Sequence, residues 1–190
     1  TDQVRVTIQK APEVNAGVDK QVCEGGSVLI ADATTGGSTT SVTWSGGLGS
    51  FSPNVNTLNA TYTPTAAEVG TTVTLTITTN AIGPCAAVSD QIDITVNDAP
   101  EVNAGADKII CESDAAVMSD ATIGGSTATV TWSGGAGTFS PNNTTLNASY
   151  IPAVSEIGTS VILTLTTNDP AGPCTAIADQ VRVTIQKAPE

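Results

Sequence analysis

Four cysteines are the side chains of this sequence with the most evident chemistry: Cys23, Cys85, Cys111 and Cys174. No CxxC pair occurs and histidine is absent, so a zinc site would need widely spaced thiolates alone. A hydrolase triad is not predicted, because there is no histidine and no lysine beside a serine in a nucleophile motif. Disulfide bonds formed in an oxidising compartment are therefore the favoured use of the four thiols.

Acidic residues are the second group that could do chemistry. Six of them recur at matching positions of an internal repeat: Glu13, Asp19, Glu24, Asp32, Glu68 and Asp90. We interpret these mainly as turn caps and solvated surface charge. Asp98 and Glu101 flank a short linker and are a candidate Ca²⁺ site, if both neighbouring domains contribute to the six to eight oxygens that calcium takes. A covalent staple between Lys20 and Asn80 is a minor alternative, and no other cofactor and no enzyme activity is predicted.

The overall charge and composition exclude several partners. The chain has 18 acidic residues against six Lys and Arg, which gives a net charge of −12. Nucleic acid and anionic membrane surfaces both require a basic face, so neither is expected to bind. No apolar run reaches the length of a membrane span, so membrane insertion is not expected. Aromatic residues make up only 3% of the chain, which argues against an aromatic platform for sugars or bases.

The chain is built from two copies of one unit. Residues 11–80 and 99–168 align without a gap and are identical at 44 of 70 positions. Residues 1–13 recur at 178–190 with 12 of 13 positions identical, whereas their match to residues 89–101 is 6 of 13. Units two apart are thus more alike than neighbouring units, which indicates a longer array with an alternating pattern.

This repeat predicts four segments. Residues 11–98 and 99–187 are two complete repeats, residues 1–10 are the last strand of a preceding repeat, and residues 188–190 begin the next linker. Because segment 1–10 has no sandwich of its own, we expect it to be disordered or to pair with the open edge of a neighbouring molecule.

Hydrophobic alternation predicts an all-β fold. In the stretch Thr71–Thr79, Val73, Leu75 and Ile77 fall on one face and threonines on the other. About seven such strands per repeat, with turn signals roughly every 8–12 residues, predict two tandem Ig-like Greek-key β-sandwich domains placed end to end. The aromatic residues are predicted to form one core cluster per domain: Trp44, Phe51 and Tyr62 in the first, Trp132, Phe139 and Tyr150 in the second.

Asn15–Lys20 (NAGVDK) and Asn103–Lys108 (NAGADK) are each followed by a short strand and then by Glu-Gly or Glu-Ser. This pattern resembles PKD-like and bacterial Ig-like repeats in giant surface adhesins or filaments of gliding, type IX-secreting bacteria. The resemblance covers both units, implies a β-sandwich within an extracellular cell-surface array, and carries no active site. The paired cysteines and the long TLNATYTP segment depart from the usual PKD pattern.

The main functional hypothesis is structural. Tandem domains joined by short linkers, with Pro100 at the centre of one, would form the stiff shaft of a long extracellular adhesin or filament. Its partners would be neighbouring repeats of the same chain and, if identical chains bundle, further copies in a homo-oligomeric filament. The alternative is an Ig-like binding module that recognises carbohydrate or a host or prey cell-surface protein through its end loops. No distal ligand is predicted.

Strand order leaves two alternatives for the disulfides. Pairing within each unit would join Cys23 to Cys85 and Cys111 to Cys174. In an Ig-type sandwich, however, Cys23 precedes the second strand and Cys85 follows the sixth, and these strands run the same way. The two sulfurs would then lie more than ~20 Å apart, whereas a disulfide needs Cα atoms roughly 4.4–6.8 Å apart. We favour Cys23–Cys174 across the linker, with Cys85 and Cys111 left to bond further units; pairing within units stays open.

Overall fold

The computed structural model describes residues 2–81, 83–168 and 172–188. It divides into two units, Thr1–Asn97 and Asp98–Glu190. Residues 189 and 190 of the predicted next linker lie outside the described residues. The regular structure of the described ranges is β, apart from one turn of 3-10 helix per unit, Ala66–Glu68 and Val154–Glu156. None of the helices in these ranges has the length and apolar character needed to cross a membrane.

Unit 1 is a sandwich of short strands. In sequence order they are β1 (Glu13–Asn15), β2 (Lys20–Cys23), β3 (Val28–Leu29), β4 (Thr34–Gly36), β5 (Val42–Ser45), β6 (Ser50–Ser52), β7 (Thr61–Thr63), β8 (Thr72–Thr79) and β9 (Ser89–Asn97). One sheet has the order β2-β9-β8-β5 and the other the order β3-β7-β6, with β1 paired to β4. Strand β9 is antiparallel to β8 and parallel to β2.

Unit 2 repeats this topology. Its strands are β10 (Pro100–Asn103), β11 (Lys108–Cys111), β12 (Ala116–Val117), β13 (Thr122–Gly125), β14 (Val130–Ser133), β15 (Thr138–Ser140), β16 (Ser149–Ile151), β17 (Ser160–Thr167) and β18 (Ala178–Gln186). The sheet orders are β11-β18-β17-β14 and β12-β16-β15, and β10 pairs with β13. Strand β18 therefore occupies in unit 2 the place that β9 has in unit 1.

The predicted all-β sandwich is confirmed, with more and shorter strands than the seven expected per unit. Strands β1 and β2 are separated by a turn at Gly17, whose φ of +95° suits glycine and whose added Cβ would lie 2.6 Å from Asp32 Oδ1. Strands β3 and β4 are likewise short and separate. The sequence does not predict β6, because three residues are too few to show an alternation.

The long strands β8 and β9 form because their alternation is satisfied on both faces. The inward residues are at most 8% exposed: Val73, Leu75 and Ile77 on β8, and Ile92, Ile94 and Val96 on β9. On the outer face polar residues pair across the strands, and Thr74 Oγ1 donates to Asp93 Oδ1 over 2.6 Å. A dry layer and a wet layer thus come from one period-two pattern.

An aromatic cluster fills the centre of each core. Trp44 is 1% exposed, and its Nε1–H donates to Leu58 O over 3.0 Å. The Phe51 ring lies between Trp44 and Tyr62, with centroid distances of 6.1 and 5.1 Å. Unit 2 repeats the cluster at 6.0 and 5.1 Å with Trp132, Phe139 and Tyr150.

The Trp-Ser-Gly-Gly turn is retained in both units for a steric reason. Gly46 and Gly47 have φ values of +92° and +67°, which favour glycine. A Cβ on Gly46 would lie 2.5 Å from Thr74 O, and one on Gly47 would lie 2.1 Å from the Tyr62 hydroxyl. The turn therefore brings the chain directly against the buried tyrosine.

Residues 2–10 contain no strand. Val4, Val6 and Ile8 are 88%, 78% and 91% exposed. The assignment of residues 1–10 to a preceding repeat stays a prediction.

We expect Trp44→Ala to destabilise unit 1 by about 3–5 kcal/mol, because truncating a buried tryptophan leaves a large cavity. Urea unfolding measures this loss as a lower midpoint. The control is Leu48→Ala, since Leu48 is 70% exposed and the second repeat has Ala136 at that position. Equal midpoints for Trp44→Ala and Leu48→Ala would contradict the packing described here.

Candidate functional site

Cys23 lies at one end of unit 1, where β2 runs beside the last residues of β9. Cys23 is opposite Asn97 in the parallel pair, and the Glu24 N–H donates to Asn97 O over 2.8 Å. The Gly26 N–H donates to Cys23 O over 2.9 Å and closes the turn that follows. Cys23 is a half-cystine, that is, its sulfur is disulfide-bonded.

A shallow apolar cavity of about 180 Å³ lies beside Cys23. Its lining residues all belong to unit 1: Cys23, Glu24, Gly25, Pro64, Thr65, Ala66, Val69 and Val96. This end of the unit therefore combines a bonded sulfur with a small apolar depression.

Cys85 lies at the opposite end of unit 1, shortly before β9 begins at Ser89. Its Sγ is 3.9 Å from Lys10 O, and it is a free thiol. The nine residues of β9 separate it from the end that carries Cys23, a length of about 25–30 Å. Pairing of Cys23 with Cys85 is thus wrong for this unit, because the distance is several times that of a disulfide.

Unit 2 has cysteines at the same two positions, but here the cysteine beside the end of the last strand is free and the one before that strand is bonded. Cys111 is opposite Gln186 at the end of β18 and is an exposed free thiol. Cys174 lies before the start of β18, is 4% exposed, and has its Sγ 3.3 Å from Asp98 O. Cys174 is a half-cystine. Pairing of Cys111 with Cys174 is therefore also wrong.

A buried carboxylate and a tyrosine form a second constellation in each unit. The Tyr62 hydroxyl donates to Glu68 Oε1 over 2.7 Å and accepts from the Gly49 N–H over 3.0 Å. Glu68 also accepts the backbone N–H groups of Leu48, at 2.7 Å, and of Thr65, at 2.8 Å. The pair ties the glycine turn to the 3-10 helix, and Tyr150 with Glu156 repeats it in unit 2.

These contacts perturb both ionisations. Burial disfavours the charged form of Glu68, but hydrogen bonds from Leu48, Thr65 and Tyr62 outweigh burial and hold the pKa of the carboxyl below its usual value of 4.5. Burial, followed by the hydrogen bond to Glu68, raises the pKa of Tyr62 to about 12. An anionic Glu68 facing a neutral Tyr62 is a structural pair, because neither group changes charge near neutral pH.

Repeated acids of the two units cap backbone groups, as the turn-cap interpretation predicts. Asp90 Oδ2 accepts the Ala16 N–H over 2.8 Å, and Asp19 Oδ1 accepts the Asp93 N–H over 3.0 Å. Asp32 Oδ2 accepts from the Val18 N–H over 3.0 Å. These bonds hold the repeated NAGVDK turn against β9 and the β3–β4 segment.

Lys20 forms an ion pair instead of a staple. Its Nζ is 2.7 Å from Asp32 Oδ1, and this contact holds the pKa of Asp32 below its usual range. Asn80 instead accepts the Ser41 N–H over 3.0 Å and donates to Thr40 Oγ1 over 3.0 Å. The minor alternative of a staple between Lys20 and Asn80 therefore has no support from these contacts.

The candidate calcium residues do not gather a ligand set. Glu101 lies in β10, and its N–H donates to Thr127 Oγ1 over 3.2 Å. Asp98 presents its carbonyl to Cys174. Across the described ranges, no group of three or more Cys, Asp or Glu side chains is placed to hold a metal ion. Calcium at Asp98 and Glu101 stays a prediction.

Sequence reasoning missed the Tyr62–Glu68 and Lys20–Asp32 pairs. Both recur 88 residues later as Tyr150–Glu156 and Lys108–Asp120, the latter at 2.5 Å. The only sequence evidence for these pairs is that both residues of each pair recur in the second repeat. Recurrence of a polar residue indicates that its contact is kept, but it does not identify the residue that it contacts.

Comparison with known proteins identifies the fold. No family model and no curated protein matches the chain. The titin I-band fragment I67–I69 has a TM-score of 0.59 at 14% identity, with 95% of this chain and 67% of that one covered. Extracellular domains 3–5 of Drosophila OTK give 0.55 at 13%, covering 93% and 62%. The insect immune protein hemolin gives 0.54 at 12%, covering 98% and 49%. The chain is thus two tandem Ig-like β-sandwich domains.

We expect Glu156→Gln to destabilise unit 2 by about 1–3 kcal/mol near neutral pH, because its amide NH₂ would replace an acceptor facing backbone donors. The folded-state pKa of Glu156 lies below its usual 4.5, so the carboxylate's contribution is complete above that pH and is lost as the pH falls through the folded-state value. Urea midpoints of the wild type and the variant should therefore converge in acid. The exposed control Asp114→Asn should have the same urea midpoint as the wild type at each pH. A difference in midpoint between Glu156→Gln and the wild type that stays constant as the pH falls would contradict the assignment.

Proposed function

We propose that this chain is a stiff segment of an extracellular shaft in which consecutive Ig-like domains are laced by disulfides. The placement of the cysteines at opposite ends of each domain carries the proposal. Cysteines at opposite ends of a sandwich cannot bond each other, because a disulfide needs Cα atoms roughly 4.4–6.8 Å apart. Each is well placed to bond a neighbour in a row of domains.

The lacing bond of this chain is Cys23–Cys174. Cys23 and Cys174 are both half-cystines. Within each unit, the two cysteines lie at opposite ends and are too far apart to bond each other. The free thiols Cys85 and Cys111 occupy the corresponding positions of the other unit. By the symmetry of the repeat, these two thiols are the ones that bond further domains of the same kind.

An extracellular surface location supports this use of the thiols. Disulfides persist in oxidising surroundings and are rare in the cytosol. The OTK domains of the same fold are extracellular. The resemblance of NAGVDK and NAGADK to repeats of giant bacterial surface proteins extends the proposal to an adhesin or filament of a gliding, type IX-secreting bacterium, with neighbouring repeats as the first partners.

A binding module is the second candidate, and the surface gives it less support. All six aromatic side chains are buried or half-buried, so neither unit offers an exposed ring for stacking on a sugar. Specific capture of a glycan by the two-domain chain would displace the shaft proposal.

We expect peptide mapping of the unreduced protein to recover a Cys23–Cys174 linked peptide, together with unbonded Cys85 and Cys111. Digestion under acidic conditions prevents thiol exchange, because the attacking thiolate is then absent. A linked Cys23–Cys85 peptide would overturn the lacing.

We expect the bond to shield most of the chain from force. When the oxidised chain is pulled by its two ends, tension passes through the Cys23–Cys174 bond and bypasses residues 24–173. Reduction should then add on the order of 500 Å to the final extension, at ~3.4 Å per residue. Single-molecule force spectroscopy measures this difference.

Two matched variants test the assignment. Cys85→Ser with Cys111→Ser should keep the short oxidised extension, and Cys23→Ser should show the long extension without reductant. Equal extensions for the oxidised and reduced wild type would rule out mechanical lacing.

A further inference from the structure

The outward faces of the two four-stranded sheets are alike except at one cluster of positions. Four polar positions of β8 and β9 recur unchanged on β17 and β18: Thr76, Thr78, Gln91 and Thr95 correspond to Thr164, Thr166, Gln180 and Thr184. Three nearby positions change character. They are Gln21, Thr74 and Asp93 in unit 1 and Ile109, Ile162 and Arg182 in unit 2. The cluster is therefore acidic and polar in one unit and basic and apolar in the other.

The three positions of unit 2 adjoin one another on the sheet and form an exposed patch. Arg182 lies opposite Ile162, and Ile109 lies opposite Thr184, which is two residues from Arg182 along β18. Ile109 is 70% exposed and Ile162 is 40% exposed. Arg182 is exposed as well, and its guanidinium forms no hydrogen bond or ion pair with any described residue. Unit 2 thus presents a cation beside two exposed isoleucines.

Unit 1 has two carboxylates at the corresponding place. Asp19 Oδ1 accepts the Asp93 N–H over 3.0 Å, so the Asp19 carboxylate lies beside the backbone of Asp93. Asp93 Oδ1 accepts from Thr74 Oγ1 over 2.6 Å, which leaves a second carboxylate oxygen for a further donor. Within the described ranges, no lysine or arginine forms an ion pair with either acid. The planar fork of a guanidinium suits such carboxylate oxygens.

We propose that the patch of Ile109, Ile162 and Arg182 on unit 2 docks on the outward sheet face of unit 1 in a second copy of this chain. The arginine donates to the two carboxylates of that face, and the isoleucines pack on the methyl groups of its threonines. Charge selects the unequal pair of units. Two unit 2 faces would bring arginines together, and two unit 1 faces would bring aspartates together.

The sheet face is too small for a single contact of this kind to be strong. Four strands ~4.8 Å apart and ~3.3 Å per residue over eight residues give ~500 Å² per partner, against ~800 Å² in a stable complex. In the predicted array of alternating units, each further pair of units would add one such contact, and the contacts would reinforce one another. The inference names a side-by-side partner for the proposed shaft, and it stands on the sheet faces and not on the disulfide.

Two full-length variants isolate one contact while keeping its native charges. The donor chain carries Asp93→Asn and keeps Arg182, and the acceptor chain carries Arg182→Gln and keeps Asp93. Nuclear magnetic resonance of one isotope-labelled chain titrated with the other reports weak binding residue by residue. We expect amide shifts at Thr74, Asp93 and Thr95 in a labelled acceptor, and at Ile109, Ile162 and Arg182 in a labelled donor.

The matched control chain carries both substitutions, so that it has neither charge of the contact. Its affinity for the labelled acceptor should be about tenfold lower than that of the donor chain, because charge-assisted hydrogen bonds are lost. The spectrum of each variant alone verifies that it is folded, and salt at ~0.15 M screens the general repulsion between acidic chains.

Three results would overturn the proposal. They are no shifts in either labelled chain up to ~1 mM, shifts that fall outside these two sheet faces, and equal shifts with the donor and control chains. None of them would alter the peptide map of the Cys23–Cys174 bond, so failure of this contact is distinguishable from failure of the lacing.

Discussion

The antiparallel pairs β8–β9 and β17–β18 are the constraint on which the rest of each domain depends. Each pair presents a continuous row of Val, Leu and Ile inward and a row of polar residues outward. The inner row supplies the surface against which the aromatic cluster packs. The same pair sets the length of the domain, because β9 and β18 have nine residues each.

That length decides what the cysteines can do. A sulfur beside the first residue of β9 and a sulfur beside its last residue are separated by the whole domain, so cross-linking inside the sandwich is unavailable to them. The hydrophobic pattern thus sets, through strand length, that the two cysteines of one domain cannot bond each other, which is the condition that the lacing proposal requires.

Sequence patterns anticipated the elements that are long or periodic. Strands β8 and β9 follow directly from alternation, and Trp44 falls where a buried tryptophan of an Ig-like sandwich belongs. Short elements such as β6 have no period to detect. Glu68 was classed with the solvated acids although it is 4% exposed, because its burial depends on the Tyr62 hydroxyl and on N–H groups that only the folded turn brings together. The same nine residues contain no strand at 2–10 and form most of β18 at 179–187. Neighbours, not local preference, decide their structure.

The opposite charges of Asp93 and Arg182 bear on how a chain of repeated domains folds. Neighbouring domains with interchangeable strands readily exchange them, and such misassembly is a characteristic failure of repeat proteins. Strands β9 and β18 share their inward apolar pattern but differ in the outward partner: Asp93 accepts from Thr74, while Arg182 lies opposite Ile162. Placed in unit 2, β9 would lose the hydrogen bond from Thr74 to Asp93, because the apolar Ile162 at the opposite position has no donor. The two units thus share one inward pattern but differ at this outward position, and the difference favours pairing of β9 within its own unit.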